Sequence, residues 1–340
     1  MFLSVRVQDL KTFQACNIIL EGNFGLLQII SISIRPMSLD LLPPSLPLDE
    51  EYNISSEEST LLKRVIGIQD DNELKEHLLS IQAETYAVGY RTCGCVHRFK
   101  IVKHPAYESV IKLGKERENA IFLDLPCCVG SDSRIIIADG YPLENVITSD
   151  LHSDYWTVGH KLFKTTPETF PVPFLQGDIF DPNFLQPGVP ALDTSSQVID
   201  SPSLTDLTSL TPLQHSISAI YTSCLIHLFG EDEQFKLAHL FASLLSPLLG
   251  SIIFGFHFGT SGAEEDKLKS TRLTAEGISV FAHSPASWKE LWTDKNGPFR
   301  PEQVSVQVEV IGVERKDISR MFNLEQPYIS YRHIWSITRY

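Results

Sequence analysis

The chain has 340 residues, 43% of them hydrophobic, and its 42 acidic against 28 basic side chains give a formal charge of −14. That length and apolar content suit one large α/β domain with an appended segment, and the acidic balance argues against a broad electropositive surface for nucleic acid or anionic lipid. Small-molecule chemistry is the better expectation.

The cysteines at 16, 93, 95, 127, 128 and 224 match neither C-x-x-C zinc spacing nor an evenly spaced disulfide framework, so they read as reduced thiols in a cytoplasmic protein. Residues 1–36 are apolar in patches ("NIILEGNFGLLQIISISI"), but Glu21 and Asn23 interrupt the run and no basic stretch precedes it, which predicts neither a signal peptide nor a membrane span. They lack a helical or strand periodicity that continues into the core and are set apart as an N-terminal extension, with Met37 opening a proline-rich, acidic entry. The Asn53-Ile-Ser sequon is idle without a secretory signal. In "DDNELKEHLLSIQAETYAV", Leu74, Leu78 and Ile81 share one face at helical spacing, with Asp70 or Asp71 available as the cap. Residues 37–117 are expected to form an N-terminal helical cap joined to the main sheet, and 118–340 the main domain.

From Asn119 the pattern alternates strands and helices in the manner of a doubly wound sheet. "AIFLDLPCCVGSD", residues 120–132, is an apolar strand closed by Asp124 and followed by a turn through Pro126, Cys127, Cys128 and Gly130. A strand, an acid and a tight turn are how an α/β sheet presents the first strand of a nucleotide or cofactor site. Gly130 is the only glycine of that turn, so the G-x-G-x-x-G dinucleotide fingerprint is missing, and no G-x-x-x-x-G-K-[ST] phosphate loop occurs in the chain. "NVITSDL" is a second strand ending at Asp150, 26 positions after Asp124, the distance at which an acid takes the vicinal hydroxyls of a ribose. "FPVPFLQGD" supplies a third, closing on Gly177-Asp178. One exposed aspartate at a strand end is usually a solvated turn, whereas three in register would line a single crevice.

Residues 184–216 read as a surface excursion whose last part is a helix. "ISAIYTSCLIHLF" is the fourth strand, and "EDEQFKLAHLFASLLSP" an amphipathic helix with Phe235, Ala238, Phe241 and Leu245 inward, ended by Pro247. "GSIIFGFHFG", "QVSVQVEVIGV" and "YISYRHIWSITRY" bring the total to seven strands, the last two an antiparallel-looking pair. His227 at the exit of the fourth strand is a candidate general base, and His257 after the fifth has less support; the plain alternative is a histidine satisfied within packed strand ends. A serine hydrolase would need a G-x-S-x-G elbow, which "GTSGA" at 259–263 does not supply.

The stretch "FLDLPCCVGSDSRIIIADGYPLENVITSDLHSDYWTVGHKLF", with "GDIFDP" (177–182), "IHLFGEDEQFKLAHLFASLLSPLLGSIIFG" (226–255) and "HSPASWKELW" (283–292), resembles the class I S-adenosylmethionine-dependent methyltransferases of fungal terpenoid and meroterpenoid pathways. Their first-strand segment reads like LDLGCCFGQDLRKLVADG, and the likeness covers roughly residues 50–300. The resemblance implies a Rossmann-like seven-stranded sheet with helices on both faces, S-adenosyl-L-methionine as cofactor, and methyl transfer to a carboxylate or hydroxyl oxygen of a small secondary metabolite, a terpenoid or meroterpenoid. It places Asp124 and Leu125 beside the methionine part and ribose, and the Cys127–Gly130 turn near the cofactor's carboxylate end. Asp150 would accept the ribose hydroxyls and Leu151 pack on the adenine, while Asp178 would accept from the adenine amino group and the Ile179 amide would offer a donor. The implied partner is a small-molecule acceptor, with no metal, nucleic acid or membrane; a homodimer is the assembly to test. Pro126 departs from the family, which carries glycine there: proline fixes φ and removes an N–H that could face the cofactor. The alternative reading is therefore a catalytically impaired relative that binds cofactor or a protein partner. The acceptor pocket would be built from the N-terminal cap, the 184–216 excursion and "FGTSGAEEDKLKSTRL".

Overall fold

The computed structural model describes residues 16–19, 29–32, 54–88, 98–191, 203–263, 271–273, 279–314 and 325–340. Cys93, Cys95, Asn53 and the charged run 264–270 lie outside them. Two short strands near the start, β1 (Cys16–Ile19) and β2 (Ile29–Ile32), pair antiparallel. Isoleucines at both ends of the interrupted run favour this extended pairing. This hairpin belongs to a small unit, Met1–Ser45 with Ala275–Gly277, and every other element to a larger one.

The larger unit opens with two helices. In α1 (Ser56–Ile66), Ser55 and Glu58 form a reciprocal capping box, and Gly67 closes the helix in the left-handed region at φ +82°. In α2 (Asp71–Val88), Asp70 is the cap, its Oδ1 accepting the amides of Asn72 at 3.0 Å and Glu73 at 2.9 Å. Leu74, Leu78 and Ile81 are buried as their spacing requires, each contributing about 1.5–3 kcal/mol of apolar burial. After α3 (Tyr107–Glu116) the sheet begins: β3 (Ile121–Asp124), α4 (Ser131–Ala138), β4 (Val146–Asp150), α5 (Ser153–Leu162), β5 (Phe174–Gln176), β6 (Ile217–Ser223), α6 (Glu231–Leu244) and β7 (Ile252–Gly259). A two-stranded ribbon, β8 (Thr271–Leu273) with β9 (Ser279–Phe281), precedes α7 (Pro285–Thr293), β10 (Val304–Glu314) and β11 (Ile329–Arg339).

The seven-stranded sheet runs β10-β11-β7-β6-β3-β4-β5, with β7, β6, β3, β4 and β5 parallel and β11 antiparallel to both β7 and β10. Its central strands are apolar on both faces because helices cover both. Phe122, Val146, Ala219 and Phe254 pack in a core with α1–α5, while Leu123, Ile147, Ile220 and Ile253 pack against α6 and α7.

Two expectations change here. Phe235 is 38% exposed, and Gln234 takes the inward position, its Nε2 donating to the carbonyls of Phe229 (2.8 Å) and Phe281 (2.7 Å). Ala238, Phe241 and Leu245 are buried as expected, though α6 ends at Leu244, ahead of Pro247. Between 203 and 216 there is only a three-residue 3-10 turn, Thr211–Leu213, in place of a helix; Leu210 and Leu213 anchor it in the core.

Candidate active site

The sheet order reverses beside β3: the chain continues to β4 and β5 on one side, then crosses to β6 and β7 on the other. In an open parallel sheet, that reversal leaves a crevice at the carboxyl ends of the strands, where ligands bind. Register places Asp124 level with Thr148 on β4 and Tyr221 on β6, and Asp150 level with Gln176 on β5.

Asp124 is 1% exposed and points beneath the turn, where Ser133 Oγ donates to its Oδ2. Burial pushes its carboxyl pKa well above the usual range, and the neighbouring Asp132 adds to the shift. It braces the start of α4 against the strand it ends. Leu125 is buried too, with its amide donating to the Tyr221 carbonyl at 3.0 Å, and the Leu125–Pro126 bond is cis. Beyond it the Cys127 amide donates to the Ser149 carbonyl (3.0 Å) and the Gly130 amide to the Cys127 carbonyl (2.7 Å). Cys128 sits at φ +48° and Gly130 at φ +69°, both in the left-handed region. Cys127, Cys128 and Cys224 are free thiols, as the spacing predicted, and Cys127 is buried with its pKa pushed up chiefly by desolvation.

The turn is held from outside by close packing and a buried cation. A side chain at Gly159 would place its Cβ 2.2 Å from the Val129 carbonyl oxygen, so α5 approaches the turn as only glycine permits. Arg134 donates through Nη1 to the carbonyls of Val129 (3.1 Å) and Gly130 (3.2 Å), with its guanidinium over the rings of Trp156, Phe163 and Phe170 at 4.3–5.0 Å.

Asp150 ties this turn to the second strand. It is 6% exposed; Oδ2 accepts the Cys128 amide at 2.9 Å and Oδ1 the His152 amide at 3.1 Å. A carboxylate offers about four lone-pair sites, so acceptor capacity remains for a ligand hydroxyl. Desolvation raises its pKa, opposed by those same amides. Leu151, next in the chain, is 49% exposed, with its carbonyl held by Gln176 Nε2 at 3.1 Å. The Gly177 amide donates to the Asp150 carbonyl at 3.1 Å, setting the chain after β5 alongside β4. Asp178 lies two residues beyond the end of β5, exposed, with Oδ1 accepting the Phe180 amide at 2.9 Å, while Ile179 is buried. The acids of β3 and β4 end their strands; the third sits in the following turn because Gln176 is the last residue paired to β4.

His227 lies in the 3-10 turn Ile226–Leu228 after β6, half-buried, with its ring edge-on to Phe258 at 5.3 Å. His257 lies within β7 and not after it, buried against Trp288 (4.2 Å between ring centroids) and His333 (5.0 Å), and desolvation with the neighbouring histidines lowers its pKa well below the ordinary value. It is a neutral core residue on the α7 side of the sheet. Sequence reasoning missed Ser133, Arg134 and Tyr221; only the small-residue turn preceding the first two gave any signal.

A groove of about 670 Å³ between α3 and the β10–β11 edge opens at the amino end of β7, away from these residues. Among the described residues no group of His, Cys, Asp and Glu has the geometry to hold a metal ion, and no helix is long and apolar enough to cross a membrane.

A parallel sheet that reverses beside its first strand, carries an antiparallel C-terminal pair and buries acids at the ends of β3 and β4 is the class I methyltransferase fold. Comparison with known proteins shows what the chain resembles. A model for the meroterpenoid methyltransferase N-terminal domain matches residues 48–101. The O-methyltransferase phiE of a fungal species is 29% identical over 189 residues, 56% of this chain and 53% of that protein, so the match spans about half of that relative's length. Methyltransferase adrK of Penicillium rubens is 27% identical over 252 residues, 74% of this chain and 79% of its own. The asnovolin E/chermesin D methyltransferase nvfJ of Aspergillus novofumigatus is 28% identical over 227 residues, 65% of this chain and 69% of its own. The chain is an S-adenosylmethionine-dependent methyltransferase related to the fungal meroterpenoid methyltransferases.

Proposed function

We propose that the protein methylates an oxygen, carboxylate or hydroxyl, of a small terpenoid or meroterpenoid, with the cofactor seated along the ends of β3, β4 and β5. The observation that supports this seat best is Asp150: a buried carboxylate at the crevice edge with acceptor capacity left after its backbone bonds, beside the exposed Leu151. Bound S-adenosylmethionine supplies an electrophilic methyl group on a sulfonium. In this reading Asp150 accepts the ribose hydroxyls, and Leu151 and Ile179 flank the adenine with Asp178 at its amino edge. The Cys127–Gly130 turn lies under the methionine end, with Asp124 and Leu125 fixing it from below.

In-line displacement asks the enzyme chiefly to align acceptor and methyl group and to exclude water. A carboxylate acceptor needs no base. A hydroxyl or phenol benefits from one, and in this reading His227, at the exit of β6, takes the proton. That the relative phiE is an O-methyltransferase favours oxygen as the acceptor atom. Transfer of labelled methyl to a panel of terpenoid acids and phenols tests the reading. Label released by mild alkali marks an ester, and alkali-stable label cleaved by acid marks an ether. Label resistant to both would move the acceptor to carbon or nitrogen, and cofactor binding without transfer to any compound would favour the impaired relative that Pro126 raises.

A further inference from the structure

The two edges of the seven-stranded sheet are unlike. One is β5, only 3 residues long. The other is β10, 11 residues long, paired among the described residues with β11 alone and in unbroken register from Val304↔Arg339 to Glu314↔Ile329. Open sheets blunt a free edge with a short strand, lysine, proline or a bulge. β10 reads VSVQVEVIGVE and uses none of these, and Gln307, Glu309, Ile311 and Gly312 are exposed along it.

Backbone parity determines what the edge offers. The Tyr340 amide donates to the Gln303 carbonyl at 3.1 Å, continuing the β10–β11 register, so the odd-numbered residues of β10 turn their backbone groups toward β11. The even-numbered ones, Val304, Val306, Val308, Val310, Gly312 and Glu314, turn their N–H and C=O groups outward. Side chains alternate in step: Val304, Val306 and Val308 pack on the α7 side, whereas Gln307 and Glu309 line the groove beside α3.

A second copy of the same strand matches this edge in one antiparallel register. With Val308 opposite Val308 on a two-fold axis, Val306 meets Val310, Val304 meets Gly312, and Gln307 meets Glu309. The outward backbone groups then face one another and form about ten ladder hydrogen bonds. Gln307 and Glu309 fall in a non-hydrogen-bonded pair, where side chains are closest, and the amide can donate to the carboxylate twice by symmetry. Moving the axis to Glu309 would set two carboxylates directly opposite each other, and moving it to Val310 would set Glu314 against Val306.

We propose that the protein forms a two-fold homodimer through edge-to-edge pairing of β10 in the Val308-centred register, which joins the two seven-stranded sheets into one and sets the two α3 grooves on either side of the axis. Such an isologous contact uses up both free edges and closes at two copies.

Sedimentation equilibrium of the full chain should show a reversible monomer–dimer equilibrium. Gln307→Glu, at an exposed position, sets a carboxylate opposite each Glu309 and should weaken the dimer about tenfold or more, while Gln307→Lys should hold or strengthen it. In the wild type, hydrogen exchange at the Val306, Val308 and Val310 amides should slow as concentration rises, with the Gln307 and Glu309 amides unchanged. A wild-type chain that stays monomeric at every concentration overturns the proposal and leaves the edge to a peptide strand. A dimer that Gln307→Glu leaves at full strength, or assembly beyond two copies, would put the contact on another surface and overturns it as well. Equal weakening by both substitutions removes the register on which the dimer is argued.

Discussion

Asp150→Asn keeps the shape of the side chain and exchanges one acceptor oxygen for a donor. In the native protein the two carboxylate oxygens divide two amides between them, Cys128 at 2.9 Å and His152 at 3.1 Å. Asparagine satisfies one of these and presents its NH₂ to the other, leaving a buried amide facing a donor. A hydrogen bond to a charged partner has a net worth of about 1.5–3 kcal/mol, so unfolding free energy should fall by about 2 kcal/mol. The same exchange takes the charged acceptor from the ribose hydroxyls. That loss is again about 1.5–3 kcal/mol, or a 10- to 100-fold weaker dissociation constant for S-adenosylhomocysteine. Urea denaturation of the free protein and calorimetric titration read the two quantities separately. The reasoning is refuted by a variant that loses stability yet binds the nucleoside at full strength, since Asp150 would then only brace the turn. It is equally refuted by unchanged stability, which would deny the amide contacts.

Burial lowers the pKa values of His104 and His283 to about 4, and His257 and His333 shift downward for the same reason. Because the folded values lie below the unfolded value of about 6.5, the unfolded chain binds protons that the folded chain refuses. Their stabilising contribution is thus complete above pH about 6.5 and drains away as pH falls toward 4; denaturation midpoints should drop over that window, His283→Phe should flatten the slope, and a level profile would contradict the burial argument. Gly159→Ala forces a Cβ against the Val129 carbonyl oxygen and should cost about 1–3 kcal/mol while weakening nucleoside binding through the displaced turn; native stability in that variant would mean the helix can retreat. Asp178→Ala, at an exposed position, should leave stability within about 0.5 kcal/mol and reduce the preference for adenosine compounds over analogues lacking the amino group, and equal loss for both would withdraw the adenine contact. His227→Gln should slow methylation of a phenol by about 10²–10⁴-fold and spare a carboxylate acceptor, whereas equal slowing of both would make it a packing residue.

The parallel core was readable because its strands are buried on both faces and so appear as short apolar runs, and the acids after Leu123 and Ser149 mark where each run reaches the crevice. What a side chain does at a strand end is decided by partners distant in sequence. Asp124 and Asp150 look alike in the sequence, yet Ser133 draws one beneath the turn while the amides of Cys128 and His152 hold the other at the crevice edge. Periodicity misplaced Phe235 because Gln234, a polar residue, is satisfied inside by two carbonyls, one of them on β9. For the histidines on the α7 side the sequence offered packing only as an alternative at His257, since His257, His283 and His333 come together only when β7, β11 and the approach to α7 are assembled.

A crystal structure of the protein with S-adenosylhomocysteine tests the central assignment most directly. The ribose hydroxyls should lie within hydrogen-bond distance of the Asp150 carboxylate, with the adenine between Leu151 and Ile179 and the homocysteine end over the Cys127–Gly130 turn. A nucleoside bound elsewhere, for example in the groove between α3 and the β10–β11 edge, or seated in the crevice with its ribose away from Asp150, would contradict the account.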